Sequence, residues 1–167
     1  EGRFIAFLDS DDMWMPDKLE KQINFMLKNN YAFTYSNYEV LNKNELRVLF
    51  KPKQNTTNYL SLLKTCDIGC LTVIYDTKQL GKVYMPEDTP KREDYATWLD
   101  ITRSGVTAYK LNETLAVYRL SDNSVSSKKL SMLKFHYMVY RKHEHFGVLK
   151  SLWYLVIHSF NKFFKKY

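Results

Sequence analysis

The chain has little cysteine and no long hydrophobic run. Its 167 residues include two cysteines, Cys66 and Cys70, which are too few for a disulfide framework and lack the further ligands of a zinc site. We therefore expect both to be ordinary packed thiols in a reducing compartment. No uncharged apolar stretch reaches about 18 residues, and no signal-peptide pattern opens the sequence, so no membrane-spanning helix is predicted.

The composition is that of a folded domain with an uneven charge. Hydrophobic residues make up 45% and aromatic residues 16% of the chain, which argues against disorder. A chain of 167 residues is long enough for one domain with its own core. The net charge is +7, with lysine and arginine concentrated in the last third. Such a basic excess indicates a polyanionic partner, either a nucleic acid or an anionic membrane surface.

Three carboxylates follow a short apolar segment near the start. Residues 4–8 have the length and composition of a buried strand, and Asp9, Asp11 and Asp12 come directly after it. Acidic side chains at the carboxyl end of a buried strand stand where open α/β sheets bind ligands. Like charges this close repel unless a cation or hydrogen-bond donors neutralise them, and carboxylate oxygens suit Mg²⁺ or Mn²⁺. A turn with solvated aspartates is the alternative interpretation.

The pattern further along the chain predicts alternating helices and strands. Strands are expected at 31–41, 45–50, 71–75, 107–111 and 114–120, where aromatic and β-branched residues are enriched. Helices are expected from Pro16 to Asn30, at 59–65 with Asn58 as cap, after Asp76, and from Leu130 onward with a break at Gly147. This alternation is typical of an α/β fold.

A second acidic pair, Glu93 and Asp94, opens another predicted helix. Tyr95, Trp98 and Leu99 recur on one helical face. The two carboxylates therefore fall in the first turn, at the positive end of the helix dipole. A helix start with favourable acidic residues explains the pair without any chemistry, and a catalytic role is the alternative.

The tail, residues 149–167, combines an apolar and aromatic run with lysines. Its longest uncharged run, 151–161, is too short to span a bilayer at about 1.5 Å per residue. A helix lying in the membrane interface, with its lysines near anionic headgroups, has this composition. A helix packed on the core of its own domain has it too, and both interpretations stay open.

Three motifs in order resemble family 2 glycosyltransferases, which have the GT-A fold. They are Phe-Leu-Asp-Ser-Asp-Asp followed by Trp and Pro, Glu93-Asp94 with Trp98, and Tyr118-Arg119 ahead of Ser124-Val125-Ser126. The resemblance implies the C-terminal part of a GT-A domain, Rossmann-like with a mixed sheet, over residues 1–127. A helical, basic amphipathic extension is expected at 128–167. The resemblance also implies an N-terminal truncation, because the family's base-binding first strands have no counterpart here.

The resemblance assigns a role to each acidic residue. Asp9 would contact the ribose or diphosphate edge of the nucleotide and Asp11 would hold a divalent metal, Mn²⁺ or Mg²⁺, with Asp9 and Asp12 beside it. Asp94 would be the general base of an inverting transfer, supported by Glu93. The chemistry agrees, because a metal stabilises the departing diphosphate and an inverting transfer needs a carboxylate to accept the acceptor's proton.

The resemblance also implies the partners. The donor would be a nucleotide-diphospho-sugar, and the acceptor a saccharide or lipid-linked saccharide of bacterial cell-surface polysaccharide synthesis. The expected location is cytoplasmic, with peripheral contact to the inner face of the cytoplasmic membrane through 149–167. No nucleic acid is expected, since the lysines cluster at the tail. Without the family's first strands the chain alone is expected to be inactive, and a non-catalytic glycan- or membrane-binding module is the alternative function.

Overall fold

The structure is a computed structural model that describes residues 2–42, 46–120 and 129–164. The chain forms two compact units, each built from three segments. The first unit comprises Glu1–Thr57, Asp67–Val83 and Val106–Asp122, and the second comprises Asn58–Cys66, Tyr84–Gly105 and Asn123–Tyr167. The predicted boundary between residues 127 and 128 lies outside the described residues.

Helices and strands alternate along the described chain. The strands are β1 (Phe4–Ala6), β2 (Met13–Trp14), β3 (Phe33–Leu41), β4 (Arg47–Phe50), β5 (Thr56–Thr57), β6 (Ile74–Asp76) and β7 (Ala108–Arg119). The helices are α1 (Lys18–Asn29), α2 (Tyr59–Lys64), α3 (Thr77–Leu80), α4 (Glu93–Arg103), α5 (Lys129–Met138) and α6 (Val148–Phe164). The predicted α/β class is confirmed.

The first unit is a mixed sheet with α1 and α3. Hydrogen bonds join its strands in the order β1-β6-β3-β7-β2, with β4 added to β3 and β5 added to β7. The long central strands β3 and β7 run parallel, whereas the other pairs are antiparallel. Phe33, Tyr35 and Ala116 on these two strands are fully buried, because aromatic and small apolar side chains fill the space against the covered faces of the sheet.

Local signals place the ends of the short helices correctly. Asn58 caps α2 by accepting the Ser61 N–H at 2.9 Å, and Asp76 caps α3 by accepting the Lys78 N–H at 2.9 Å. Asn30 ends α1 in the left-handed conformation, with φ at 55°, which asparagine tolerates better than most residues. These caps confirm the predicted boundaries.

Four of the predicted strands differ from the structure. The strand expected at 4–8 ends at Ala6 and is half-buried, since among the described residues β1 pairs only with β6. The strand expected at 71–75 is split, because Thr72 bonds back to Gly69 and closes a 3₁₀ turn before β6. The two strands expected at 107–111 and 114–120 are one continuous strand, β7, whose register with β3 shifts at a bulge near Asn37.

The second unit is helical and has its own apolar core. Leu62 and Leu63 of α2 and Trp98 and Leu99 of α4 are buried. Tyr140 lies in a π-helical turn, Val139–His143, that continues α5, and its hydroxyl donates to the Leu63 carbonyl at 2.7 Å. The predicted break at Gly147 is confirmed, since α6 begins at the next residue.

Candidate functional site

The acidic residues after β1 form a tight turn, residues 9–12, which we call the acidic turn. The Asp12 N–H donates to the Asp9 carbonyl at 3.1 Å. Asp9 and Asp11 are exposed, whereas Asp12 is only 8% exposed. The turn therefore presents two carboxylates to solvent and turns the third inward.

The inward carboxylate joins the acidic turn to the end of β7. Asp12 Oδ1 accepts the backbone N–H of Arg119 at 3.0 Å. The next residues form β2, in which Met13 pairs with Val117. Two of the motifs singled out in the sequence, the aspartates and Tyr118-Arg119, are thus brought into contact. The sequence shows their order, but their hydrogen bond spans 107 positions and carries no local signal.

Asp12 is held in an unfavourable environment. Its Oδ2 is buried and has no hydrogen-bond partner among the described residues. Burial raises the pKa of Asp12 to about 6, the Arg119 N–H opposes this, and the negative charges of Asp11 and Asp9 add to it. A buried, incompletely bonded carboxylate beside two others is electrostatically costly, and a bound cation would relieve that cost.

A buried lysine that follows the acidic turn in the chain was not predicted from the sequence. Lys18, at the start of α1, is fully buried, and its Nζ lies 2.6 Å from Gln22 Oε1 and 3.2 Å from the Thr72 carbonyl. Both partners are neutral oxygens, and burial lowers the pKa of Lys18 to about 7. The Trp14 ring of β2 lies 5.5 Å from the same Nζ.

The inward face of α1 explains why this lysine escapes sequence reasoning. The buried residues of the helix are Lys18, Gln22 and Met26, a spacing of four that lies on one face. The apolar residues that recur at helical spacing are Leu19, Ile23, Met26 and Leu27. Met26 is buried as this pattern predicts, but Leu19 and Leu27 are 44% and 51% exposed. The polar residues at helical spacing were the signal, but hydrophobicity alone ranks them as surface residues.

The second acidic pair lies where the sequence predicted, at the start of α4. The helix begins at Glu93, so both carboxylates are in its first turn. Glu93 Oε1 accepts the Lys91 N–H at 3.0 Å, and Asp94 Oδ1 accepts the Tyr95 N–H at 2.7 Å. Lys91 has a φ of 65°, a left-handed conformation that strains a lysine and must be stabilised by its surroundings. Glu93 supplies one such contact.

The acidic positions are thus distributed over both units. Asp9, Asp11 and Asp12 belong to the first unit, and Glu93 and Asp94 belong to the second. Ser124-Val125-Ser126 lies outside the described residues. Within the described part of the chain, no group of three or more His, Cys, Asp or Glu side chains is placed to hold a metal ion. Cys66 and Cys70 are half-buried thiols that form no disulfide with each other.

Comparison with known proteins finds close relatives over most of the chain. The profile of glycosyl transferase family 2 matches residues 1–78. The chain is 42% identical over 164 residues to the putative teichuronic acid biosynthesis glycosyltransferase TuaG of Bacillus subtilis, covering 96% of this chain and 64% of that protein. It is 47% identical over 134 residues to the UDP-Glc:alpha-D-GlcNAc-diphosphoundecaprenol beta-1,3-glucosyltransferase WfgD of Escherichia coli, covering 80% and 52%. The chain therefore spans about half to two thirds of the length of these relatives.

Solved structures share the fold at low sequence identity. The crystal structure of S. aureus TarS 1-349 in complex with UDP-GlcNAc aligns with a TM-score of 0.57 at 17% identity, over 84% of this chain and 43% of that one. The complex of the same protein with UDP aligns with a TM-score of 0.55 at 17% identity, over 83% and 40%. The likeness confirms the α/β architecture described above.

Proposed function

Since the chain belongs to glycosyltransferase family 2, we propose that the protein carrying it transfers a sugar from a nucleotide-diphospho-sugar to a hydroxyl group, with inversion, in cell-surface polysaccharide synthesis. The observation that carries this proposal is the 42% identity over 164 residues to a glycosyltransferase named for teichuronic acid biosynthesis. The 47% identity to an enzyme named for transfer from UDP-Glc supports the donor class.

The acidic turn supports binding of the donor diphosphate with Mn²⁺ or Mg²⁺. Its ligand atoms are hard carboxylate oxygens, which these ions prefer. Asp12 Oδ2 has no hydrogen-bond partner among the described residues, and Asp11 and Asp9 add negative charge beside it. Asp11 and Asp9 would hold the ion and Asp12 would support them. Since no group of three or more ligands exists in the described residues, diphosphate oxygens and water would complete the coordination. When bound, the ion would neutralise charge that develops on the leaving diphosphate.

Asp94 is proposed as the general base. The Tyr95 N–H, 2.7 Å from Asp94 Oδ1, holds the carboxylate in one orientation at the start of α4. A carboxylate oriented in this way can accept the proton of an acceptor hydroxyl as that oxygen attacks the sugar. Glu93 is proposed as a positioning residue, because its contact with the Lys91 N–H stabilises the strained backbone just ahead of the helix.

Replacement of Asp94 tests the proposed base. In the full protein that carries this chain, Asp94→Asn keeps an acceptor for the Tyr95 N–H but removes the basic oxygen. With a nucleotide sugar, Mn²⁺ and a diphosphate-linked saccharide acceptor, kcat should fall about 100-fold or more. Asp88→Asn, an exposed carboxylate of the same unit, is the matched control and should retain activity. Undiminished turnover in Asp94→Asn would remove Asp94 from the role of base.

We further propose a lipid-linked saccharide as the acceptor and the inner face of the cytoplasmic membrane as the place of action. The Escherichia coli relative WfgD supports this, because its name specifies a diphosphoundecaprenol-linked acceptor.

The alternative function is a non-catalytic module that binds glycan or membrane, favoured by the exposed apolar residues of α6 such as Leu149 and Trp153. Calorimetry of the full protein separates the two functions. A transferase should take up Mn²⁺ and a nucleoside diphosphate cooperatively, and Asp11→Asn should weaken that coupling. A binding module should show no coupled uptake of metal and nucleotide.

A further inference from the structure

Helix α6 presents a continuous apolar stripe to solvent. The stripe consists of Leu149, Trp153, Val156 and Phe160, which are 85%, 65%, 64% and 60% exposed. Their spacing of four, three and four residues puts them on one side of a helix. At 1.5 Å per residue the stripe is about 16 Å long. A row of large exposed apolar side chains of this length marks an interaction surface.

The opposite side of α6 packs on the second unit. Ser151 is fully buried, and His158 is 7% exposed with its ring 3.9 Å from that of His136 on α5. The Asn161 side chain donates to the Lys64 carbonyl of α2 at 3.0 Å. The helix is therefore anchored with its stripe facing outward. The sequence left open whether this helix packs on the core of its own domain or lies in a membrane interface. In the structure one side of α6 is packed, and the opposite side carries the exposed stripe.

The charges around the stripe identify the kind of partner. From Phe146 to Tyr167 the sequence contains no aspartate or glutamate and four lysines. Lys150 and Lys162 are exposed on α6. At about 100° per residue, Lys150 falls on one flank of the stripe, about 90° from its centre, whereas Lys162 lies about 150° from it, toward the covered side. Lys165 and Lys166 follow beyond the described residues. An apolar stripe with Lys150 on one flank, in a basic segment without any anion, complements an anionic lipid surface.

We propose that α6 docks the protein on an anionic lipid bilayer. The helix lies in the plane of the membrane, with the stripe inserted at the boundary between headgroups and acyl chains and Lys150 among the headgroups. Among the described residues, no helix has the length and apolar character needed to cross a bilayer, which agrees with an in-plane position. A second copy of the chain fits the stripe less well, because its own lysines would be brought against those of the first.

Vesicle sedimentation of the full protein, without metal or nucleotide sugar, tests the proposal. Binding is compared on phosphatidylglycerol–phosphatidylcholine vesicles and on phosphatidylcholine vesicles at low and high salt. The anionic vesicles should bind the protein, and high salt should weaken binding. The double variant Trp153→Glu/Val156→Glu should reduce partitioning about tenfold or more, and Lys150→Glu about fivefold or more.

Matched controls come from exposed residues of another helix. Leu27→Glu and Lys28→Glu replace exposed residues of α1 and should leave partitioning within about twofold. Circular dichroism shows whether each variant retains its helices. The emission of Trp153 gives a second readout that needs no destabilising change, because Trp98 is fully buried and Trp14 half-buried, whereas Trp153 is 65% exposed. Lipid should shift the emission to the blue, and Trp153→Phe should bind vesicles while losing that shift.

Several outcomes would overturn the proposal. Among them are a wild-type protein that stays in the supernatant, equal binding to zwitterionic vesicles, and an emission shift that survives in Trp153→Phe. If Trp153→Glu/Val156→Glu instead changes the oligomeric state in the absence of lipid, the stripe is a protein interface and the proposal is wrong. Asp94→Asn should bind vesicles like the wild type, so failure of lipid binding and failure of the proposed transfer are distinguishable.

Discussion

Relative to the wild type, Asp12→Asn should stabilise the protein more at neutral pH than in acid. The substitution also alters the proposed donor site. The carboxylate is buried, and only one of its oxygens has a hydrogen-bond partner among the described residues, the Arg119 N–H. Asparagine keeps an oxygen for that N–H and removes the buried charge. Residues that serve a site at the expense of stability are a recognised class of stabilising mutation targets.

The expected size follows from the pKa of Asp12. Burial raises this pKa from 3.8 to about 6, and one pKa unit corresponds to about 1.4 kcal/mol. The folded state therefore disfavours the ionised carboxylate by up to about 3 kcal/mol relative to the unfolded chain. Because the folded pKa is the higher one, this unfavourable contribution is absent well below pH 4 and complete above about pH 6 to 7.

Urea denaturation at about pH 7.5 and about pH 4.5, with chelator present, measures the effect. The stability difference between Asp12→Asn and wild type should be about 2 kcal/mol more favourable at the higher pH. The constant cost of burying the new amide cancels in this comparison. Asp11→Asn, at the exposed neighbour, should change stability by less than about 0.5 kcal/mol at either pH. If the stability difference between Asp12→Asn and wild type is the same at both pH values, burial does not destabilise the ionised carboxylate of Asp12 and the reasoning is wrong.

Three further stability predictions concern the helices. Burial lowers the pKa of Lys18 from 10.5 to about 7 and so disfavours the ammonium in the folded state. Wild type should therefore lose stability as the pH falls from about 10 to about 7, and Lys18→Met should remove this loss. Urea denaturation at both pH values measures the change in free energy of unfolding for each protein. Asn58→Ala should cost about 1 kcal/mol by removing the cap from the Ser61 N–H, and Asn58→Asp should restore most of it in thermal unfolding. Glu144→Ala should cost about 2 kcal/mol, because the buried carboxylate bonds Tyr59 and Arg103. If the free energy of unfolding depends on pH as steeply in Lys18→Met as in the wild type, the assignment of Lys18 is wrong. Losses below about 0.5 kcal/mol for Asn58→Ala and Glu144→Ala would contradict the other two assignments.

Features set by neighbouring residues were predicted well. The starts of α2 and α3, the end of α1 at Asn30 and the break at Gly147 follow from caps and turn residues within a few positions. The acidic residues also fall where the motifs placed them, in a turn after β1 and in the first turn of α4. Their roles in catalysis and metal binding stay predictions.

Features set by distant residues were predicted poorly. The single strand β7 was divided in two at residues 112–113, which have no partner in its register with β3. The strand continues through this irregularity because β3 pairs with it on both sides. The buried Lys18 was missed because its partner carbonyl, Thr72, lies 54 positions away. Hydrophobic periodicity does not identify a buried polar side chain whose hydrogen bond is accepted by a backbone oxygen far away in the sequence.

The sequence alone determined the family motifs, the local helix boundaries and the amphipathic character of the tail, since each depends on residue types at short spacing. Only the tertiary structure decided which carboxylate of the acidic turn is buried, because that depends on where the end of β7 places the Arg119 N–H. The structure also decided which side of α6 is covered. Ser151 and His158 face the core and Leu149 and Trp153 face solvent, a choice made by the packing of other helices rather than by the tail itself.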